Sequence, residues 1–214
     1  MQTMTNDKYK NQYRTKSTRL QNWDYGQNGS YFITICTEKR VHYFGEITNE
    51  KMQLSDIGKI VESEWLATFE MRPDMNLTMG EFVIMPNHFH AIISIGDNSF
   101  NTHRGGGRDA MHCVSTVNCV STAQNKFGPQ SKNLGSIVRG FKSGVTKNAR
   151  IINPDFGWQR NYWEHIVRNE NEYQRITQYI MDNPKKWALD KLNGGTGNSV
   201  MEPSKTYNQE AWMI

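Results

Sequence analysis

The chain has 214 residues, 36% of them hydrophobic, with a formal net charge of +4. That length can bury one full core and points to a single globular unit with tails rather than two domains. A mean hydropathy of −0.73 and the lack of any apolar run near the roughly 18 residues of a membrane span exclude a helical membrane protein, and the mild positive charge suggests a polyanionic partner only where it is concentrated.

Residues 1–22 are polar and basic, with Lys8, Lys10, Arg14, Lys16 and Arg19, and read as a flexible arm. Without the apolar stretch of a secretory signal, this start is expected to be cytoplasmic. Cys36, Cys113 and Cys119 are odd in number and form no CxxC pair, which argues against a disulfide framework or a cysteine zinc site.

Tyr31 to Thr37 is rich in β-branched and aromatic residues and predicts a buried strand. A short hairpin is expected around Phe44 to Leu54. Ile57, Ile60, Val61, Trp65 and Phe69 then recur at helical spacing, with Ser55 as N-cap and Pro73 beyond the end. Two apolar runs, Phe82 to Met85 and His88 to Ile95, flank the turn pair Pro86-Asn87 and predict a central antiparallel hairpin. Residues 97–130, with Arg104-Gly105-Gly106-Gly107-Arg108, lack periodicity and predict a long surface loop.

A second helix is predicted from about Asn133 to Ala149, with Leu134, Ile137, Val138, Phe141 and Val145 as its apolar stripe. Trp163 to Val167 predicts a last strand. Asn169, with Glu172 three residues on, predicts the start of a third helix running to Asn183, since Pro184 disfavours helix in the residue before it. After Trp187 the chain reads as a frayed tail. The expected organisation is an arm (1–22), one domain (23–187) with a loop at 97–130, and a flexible tail (188–214). The order of elements predicts an α+β fold, an antiparallel sheet with helices packed on one face in a ferredoxin-like, split-βαβ arrangement.

Side chains alternate along a strand, so His88 and His90 share one face while Phe89 and Ala91 take the other. Two imidazoles side by side are half of a metal site, although half-exposed strand histidines show the same spacing. On the third helix Tyr179 and Asn183 are four residues apart and share a row with Arg175 and Glu172.

Met85-Pro86-Asn87-His88-Phe89-His90, followed by Trp158-Gln159-Arg160, Tyr162-Trp163-Glu164-His165, Arg168-Asn169, Tyr179-Ile180 and Asn183-Pro184, resembles the HUH single-tyrosine transposases, and among them most the REP-associated tyrosine transposases. The resemblance runs from about Arg19-Leu20 to Trp187 and lapses in the tails and in residues 97–130. It implies a metal-dependent DNA strand transferase. His88, His90 and Asn183 would hold Mg or Mn, and Tyr179 would be the nucleophile forming a 5′ phosphotyrosine on single-stranded or hairpin DNA. Relatives of this kind include monomers and homodimers.

The basic groups are the expected DNA contacts. Arg139, Lys142 and Arg150 stand opposite the apolar stripe of the second helix, and Arg160 and Arg168 flank the last strand. Tyr162 and Trp163 could stack bases or pack in the core, and His165 is read as structural. Two alternatives stay open at this stage, a non-catalytic single-stranded nucleic-acid binding module of the same fold and a structural metal protein.

Overall fold

A computed structural model describes residues 19–20, 23–102 and 131–193, together with the backbone of a two-stranded pair, β1 (Lys8–Tyr9) and β2 (Gln12–Tyr13). The Arg104 to Arg108 loop, Cys113 and Cys119 lie outside the described residues.

The framework is a four-stranded antiparallel sheet. β3 (Gly29–Cys36) is flanked by β7 (His88–Ile95) and β8 (Trp163–Val167), and β6 (Leu77–Met85) pairs with the far side of β7. A separate hairpin, β4 (Gly45–Thr48) and β5 (Lys51–Leu54), follows β3. Helix α1 (Asp56–Glu70) joins β5 to β6, α2 (Leu134–Ile152) precedes β8, and α3 (Glu170–Asp182) follows it. The fold is therefore α+β, with the split-βαβ order expected.

Each helix starts where its cap lies in the sequence. The Ser55 hydroxyl accepts from the Gly58 N–H at 3.0 Å, Asn133 and Ser136 form a reciprocal capping box, and Asn169 Oδ1 accepts from the Glu172 N–H at 2.9 Å. Strand β6 begins five residues earlier than its apolar run because the register shifts between Met79 and Phe82, which breaks the alternation that would have announced it. Among the described residues no helix is long and apolar enough to cross a membrane.

The sheet is covered on both faces, which corrects the expectation of helices on one face only. Tyr31, Ile33, Ile35, Phe89, Ala91 and Ile93 meet the buried stripes of α1 and α2. Phe32 and Ile92, on the opposite face, meet Ile176 and Ile180 of α3. The cause is visible in β3, where Tyr31, Phe32 and Ile33 are consecutive and all fully buried, so neither face can be left to water.

Candidate active site

The histidine pair is fixed from behind. Phe89 points to the α1/α2 face, its ring 5.0 Å from that of Trp65 and 5.3 Å from that of Phe141. With that anchor buried, the pleat turns His88 and His90 together to the α3 face, their ring centroids 4.5 Å apart. Both rings are buried.

Each ring has its Nδ1 occupied. Thr34, opposite His90 across the β3/β7 ladder, brings its hydroxyl to 2.8 Å from His90 Nδ1. Asn87 Oδ1 lies 2.9 Å from His88 Nδ1. The Asn87 amide nitrogen donates to Arg40 O at 3.2 Å and Leu192 O at 2.8 Å, which orients the amide with its oxygen toward the ring. These partners leave both Nε2 atoms for the cleft, the arrangement that sets the tautomer and aim of a metal-binding imidazole.

Helix α3 runs along that face and delivers its last turn to the histidines. The Tyr179 hydroxyl stands 3.5 Å from His90 Nε2, and its ring meets Phe32 edge-on at 6.0 Å. Asn183, one turn further, is buried, and its Oδ1 has no hydrogen-bond partner; nor has His88 Nε2. A buried polar atom left unpaired costs about 1–3 kcal/mol, and these two belong to side chains that interact with each other.

Burial sets the protonation of the site. It lowers His90 to about 3. Burial, then the neighbouring charges of His90, Arg40 and His42, hold His88 well below 6.5, with the Asn183 side chain acting the other way. Both imidazoles are thus neutral near pH 7, the state in which they ligate metals. Burial also raises the Tyr179 phenol, opposed by the Asn183 side chain and reinforced by Asp190, so the hydroxyl keeps its proton at rest.

Among the described residues no group of three or more His, Cys, Asp and Glu side chains forms a ready cation cage. Two imidazole nitrogens and the Asn183 amide oxygen make a neutral three-donor set that fits a divalent cation accepting mixed nitrogen and oxygen ligands.

The cleft contains groups that sequence reasoning did not single out. The segment after α3, expected to be frayed from residue 188, continues in contact with the site through two short 3-10 turns, Trp187–Leu189 and Lys191–Asn193. The Trp187 ring lies 5.9 Å from that of His88, and Asp190 Oδ2 is 3.7 Å from His88 Nε2.

The basic candidates are spread out. Arg139, Arg150, Arg160 and Arg168 are exposed, and Arg150 Nε donates to Phe156 O at 3.0 Å. Lys142 is differently placed from the outward position its helical spacing predicts. The loop before β8 folds over α2, so its ammonium donates to Gln159 O at 2.7 Å and Asn161 O at 3.4 Å, and burial lowers it to about 8. Arg168 follows the end of β8 that pairs with Ser30, whereas the histidines pair with Thr34 and Cys36 at the other end of β3.

Tyr162 and Trp163 pack against the two core clusters. His165 Nε2 lies 2.7 Å from Glu172 Oε1, tying β8 to the first turn of α3.

No family model matches the chain. It is similar to a Haemophilus influenzae protein described as uncharacterised, 40% identical over 181 residues, covering 84% of this chain and 93% of that protein. A second Haemophilus influenzae protein, described as a "Putative REP-associated tyrosine transposase", is 23% identical over 163 residues, 76% of this chain and 74% of that protein. Among solved structures, a REP-associated tyrosine transposase bound to a REP hairpin aligns with 15% identity over 89% of this chain and 98% of that one, at a TM-score of 0.48.

Proposed function

We propose that the chain is a REP-associated tyrosine transposase-like protein that cleaves and rejoins single-stranded DNA, with Tyr179 as nucleophile. A divalent cation, Mg or Mn, would be held by His88, His90 and Asn183. The observation that supports this most is that one chain brings the Tyr179 hydroxyl to 3.5 Å from His90 Nε2, beside two buried donor atoms with no hydrogen-bond partner, His88 Nε2 and Asn183 Oδ1.

A cation held by His88, His90 and Asn183 would supply Lewis-acid charge withdrawal at the phosphate and help hold it for in-line displacement. The Tyr179 oxygen attacks that phosphorus and gives up its phenolic proton. The bond from phosphorus to the preceding 3′ oxygen breaks, and that oxygen leaves with a proton as a 3′ hydroxyl. The DNA is then joined to Tyr179 through a 5′ phosphotyrosine. A 3′ hydroxyl attacking the same phosphorus restores the phosphodiester and frees the tyrosine, so strands are resealed without ATP.

Burial raises the Tyr179 phenol above its ordinary value, so its attack requires the proton to be given up as the bond to phosphorus forms. Arg139, Arg150, Arg160 and Arg168 are assigned to the DNA backbone. Lys142 is assigned to holding the 159–161 loop in place, and through it Arg160.

The test is to mix the protein with Mn and single-stranded DNA containing a hairpin, and to look for a covalent adduct on a denaturing gel. Tyr179→Phe should abolish the adduct and Tyr173→Phe should keep it. An unchanged yield in Tyr179→Phe overturns the assignment. DNA binding that survives both chelator and the double change His88→Ala, His90→Ala, with no adduct from the unaltered chain, would make the protein a binding module instead.

A further inference from the structure

We infer that Trp187 and Arg40 form the seat of the nucleotide adjoining the cleaved phosphate, Trp187 stacking on its base and Arg40 holding its backbone; the inference rests on the function proposed above.

Among the described residues Trp23, Trp65 and Trp158 pack in the core under α1 and α2, and Trp163 packs in the core under α3. Trp187 packs in neither. Its indole is half-buried, with the His88 ring at 5.9 Å and the exposed His42 ring at 5.5 Å. Its backbone is fixed, since Trp187 O accepts from the Asn193 side chain at 2.8 Å and from the Asp190 N–H at 3.1 Å. A large flat ring kept out of both cores and pinned beside the histidines suits a flat ligand with an apolar face. The bases of single-stranded DNA offer such a face, whereas in a duplex their neighbours cover it.

Arg40 supplies the charge. Lys185 and Lys186, next to Trp187 in the chain, are already paired with Asp182 at 3.8 and 3.9 Å. Arg40 gives one N–H to Lys191 O at 3.1 Å and forms no ion pair among the described residues. Its charge acts on His88 and on Asp190, which puts the guanidinium at the mouth of the histidine cleft. The rest of its planar fork is enough to grip a phosphate.

The chain is bent to put it there. Lys39 and Arg40 have φ values of 52° and 56°, left-handed conformations uncommon outside glycine. Asn87 holds the bend, donating to Arg40 O at 3.2 Å and to Leu192 O at 2.8 Å. One amide thus ties the loop that carries the arginine to the segment that carries the tryptophan, the kind of support that keeps an uncommon backbone conformation in place.

The experiment follows a fluorescein-labelled single-stranded oligonucleotide by anisotropy as it binds the full-length protein in EDTA, over a range of salt concentrations. Trp187→Ala should weaken binding about ten-fold with its salt dependence unchanged, and Trp187→Phe should recover most of that loss. Arg40→Gln should lower the slope of log affinity against log salt by about 0.7. Lys59→Gln, the same change of charge at an exposed position of α1 across the sheet, should leave affinity and slope as they are.

Full affinity in Trp187→Ala overturns the stacking seat, and so does a Trp187→Phe protein as weak as Trp187→Ala. A slope that stays the same in Arg40→Gln, or falls as far in Lys59→Gln, removes Arg40 from the DNA backbone. Neither result touches the Tyr179 adduct, which tests the cleavage reading by itself. If the unaltered chain forms no adduct while Trp187→Ala still loses affinity, cleavage fails and the seat stands as a binding site. If the unaltered chain binds no single-stranded DNA, both fall.

Discussion

Thr34 and His90 face each other across two strands, and the 2.8 Å contact between hydroxyl and Nδ1 is what points His90 Nε2 at the tyrosine. Phe32 supports the same ring from one side at 5.3 Å. Thr34→Val keeps shape and β-branching but removes the hydroxyl, so it isolates the orienting bond from packing. Mn affinity should fall roughly 10- to 100-fold, as for other partners of metal-bound imidazoles, with little change in the fold; an unaltered Mn titration would show that the ring needs no such support. The histidine pair was legible in the sequence because alternation alone puts both rings on one face. Thr34 was not, since its role depends on the register between β3 and β7, which nothing in either strand announces.

At the scale of the element, α3 is a helix whose first turn is chemically tied to the sheet. Glu172 accepts from the Arg168 N–H at 2.7 Å and lies 2.7 Å from His165 Nε2, while its own N–H donates to Asn169. Burial raises the Glu172 carboxyl, but the Arg168 N–H, His165 and the charge of Arg168 outweigh it and hold the group below 4.5. A carboxyl lowered on folding stabilises the protein above its unfolded pKa, and that contribution is lost as pH falls through the folded value.

Glu172→Gln should therefore cost about 1–2 kcal/mol at pH 7, with the difference from the unaltered chain closing as the pH drops below 4.5. Urea unfolding at a series of pH values measures this. A gap of constant size would assign the loss to packing instead. The start of α3 could be read directly from Asn169 and Glu172, because caps are local. The position of Lys142 could not, because helical spacing knows nothing of the loop that folds over it from residues 159–161.

For the molecule as a whole, the decisive property is a sheet packed on both faces, so that the stability of one side fixes the chemistry of the other. Gly80, at the irregular stretch of β6, shows how close the third helix comes. A Cβ there would meet Ile92 Cβ at 2.8 Å and the Tyr173 hydroxyl at 2.7 Å. Tyr173 can swing aside, but Ile92 is fully buried in β7 and cannot. Gly80→Ala should cost about 1–3 kcal/mol and lower the yield of the Tyr179 adduct by lifting α3 from the sheet. A full adduct yield at unchanged melting temperature would show that the helix has slack.

The split-βαβ order was legible because each element carries its own periodicity. The second covered face and the ordered path to Asn193 were not. They arise from contacts between distant parts of the chain, such as Asn87 with Leu192, 105 residues apart. That single amide also decides where the polypeptide can be cut. A version ending at Trp187, where the apolar pattern stops, would leave the Asn87 amide with its Arg40 bond alone and loosen the imidazole it steers, whereas a reporter fused after Asn193 would leave the clasp shut.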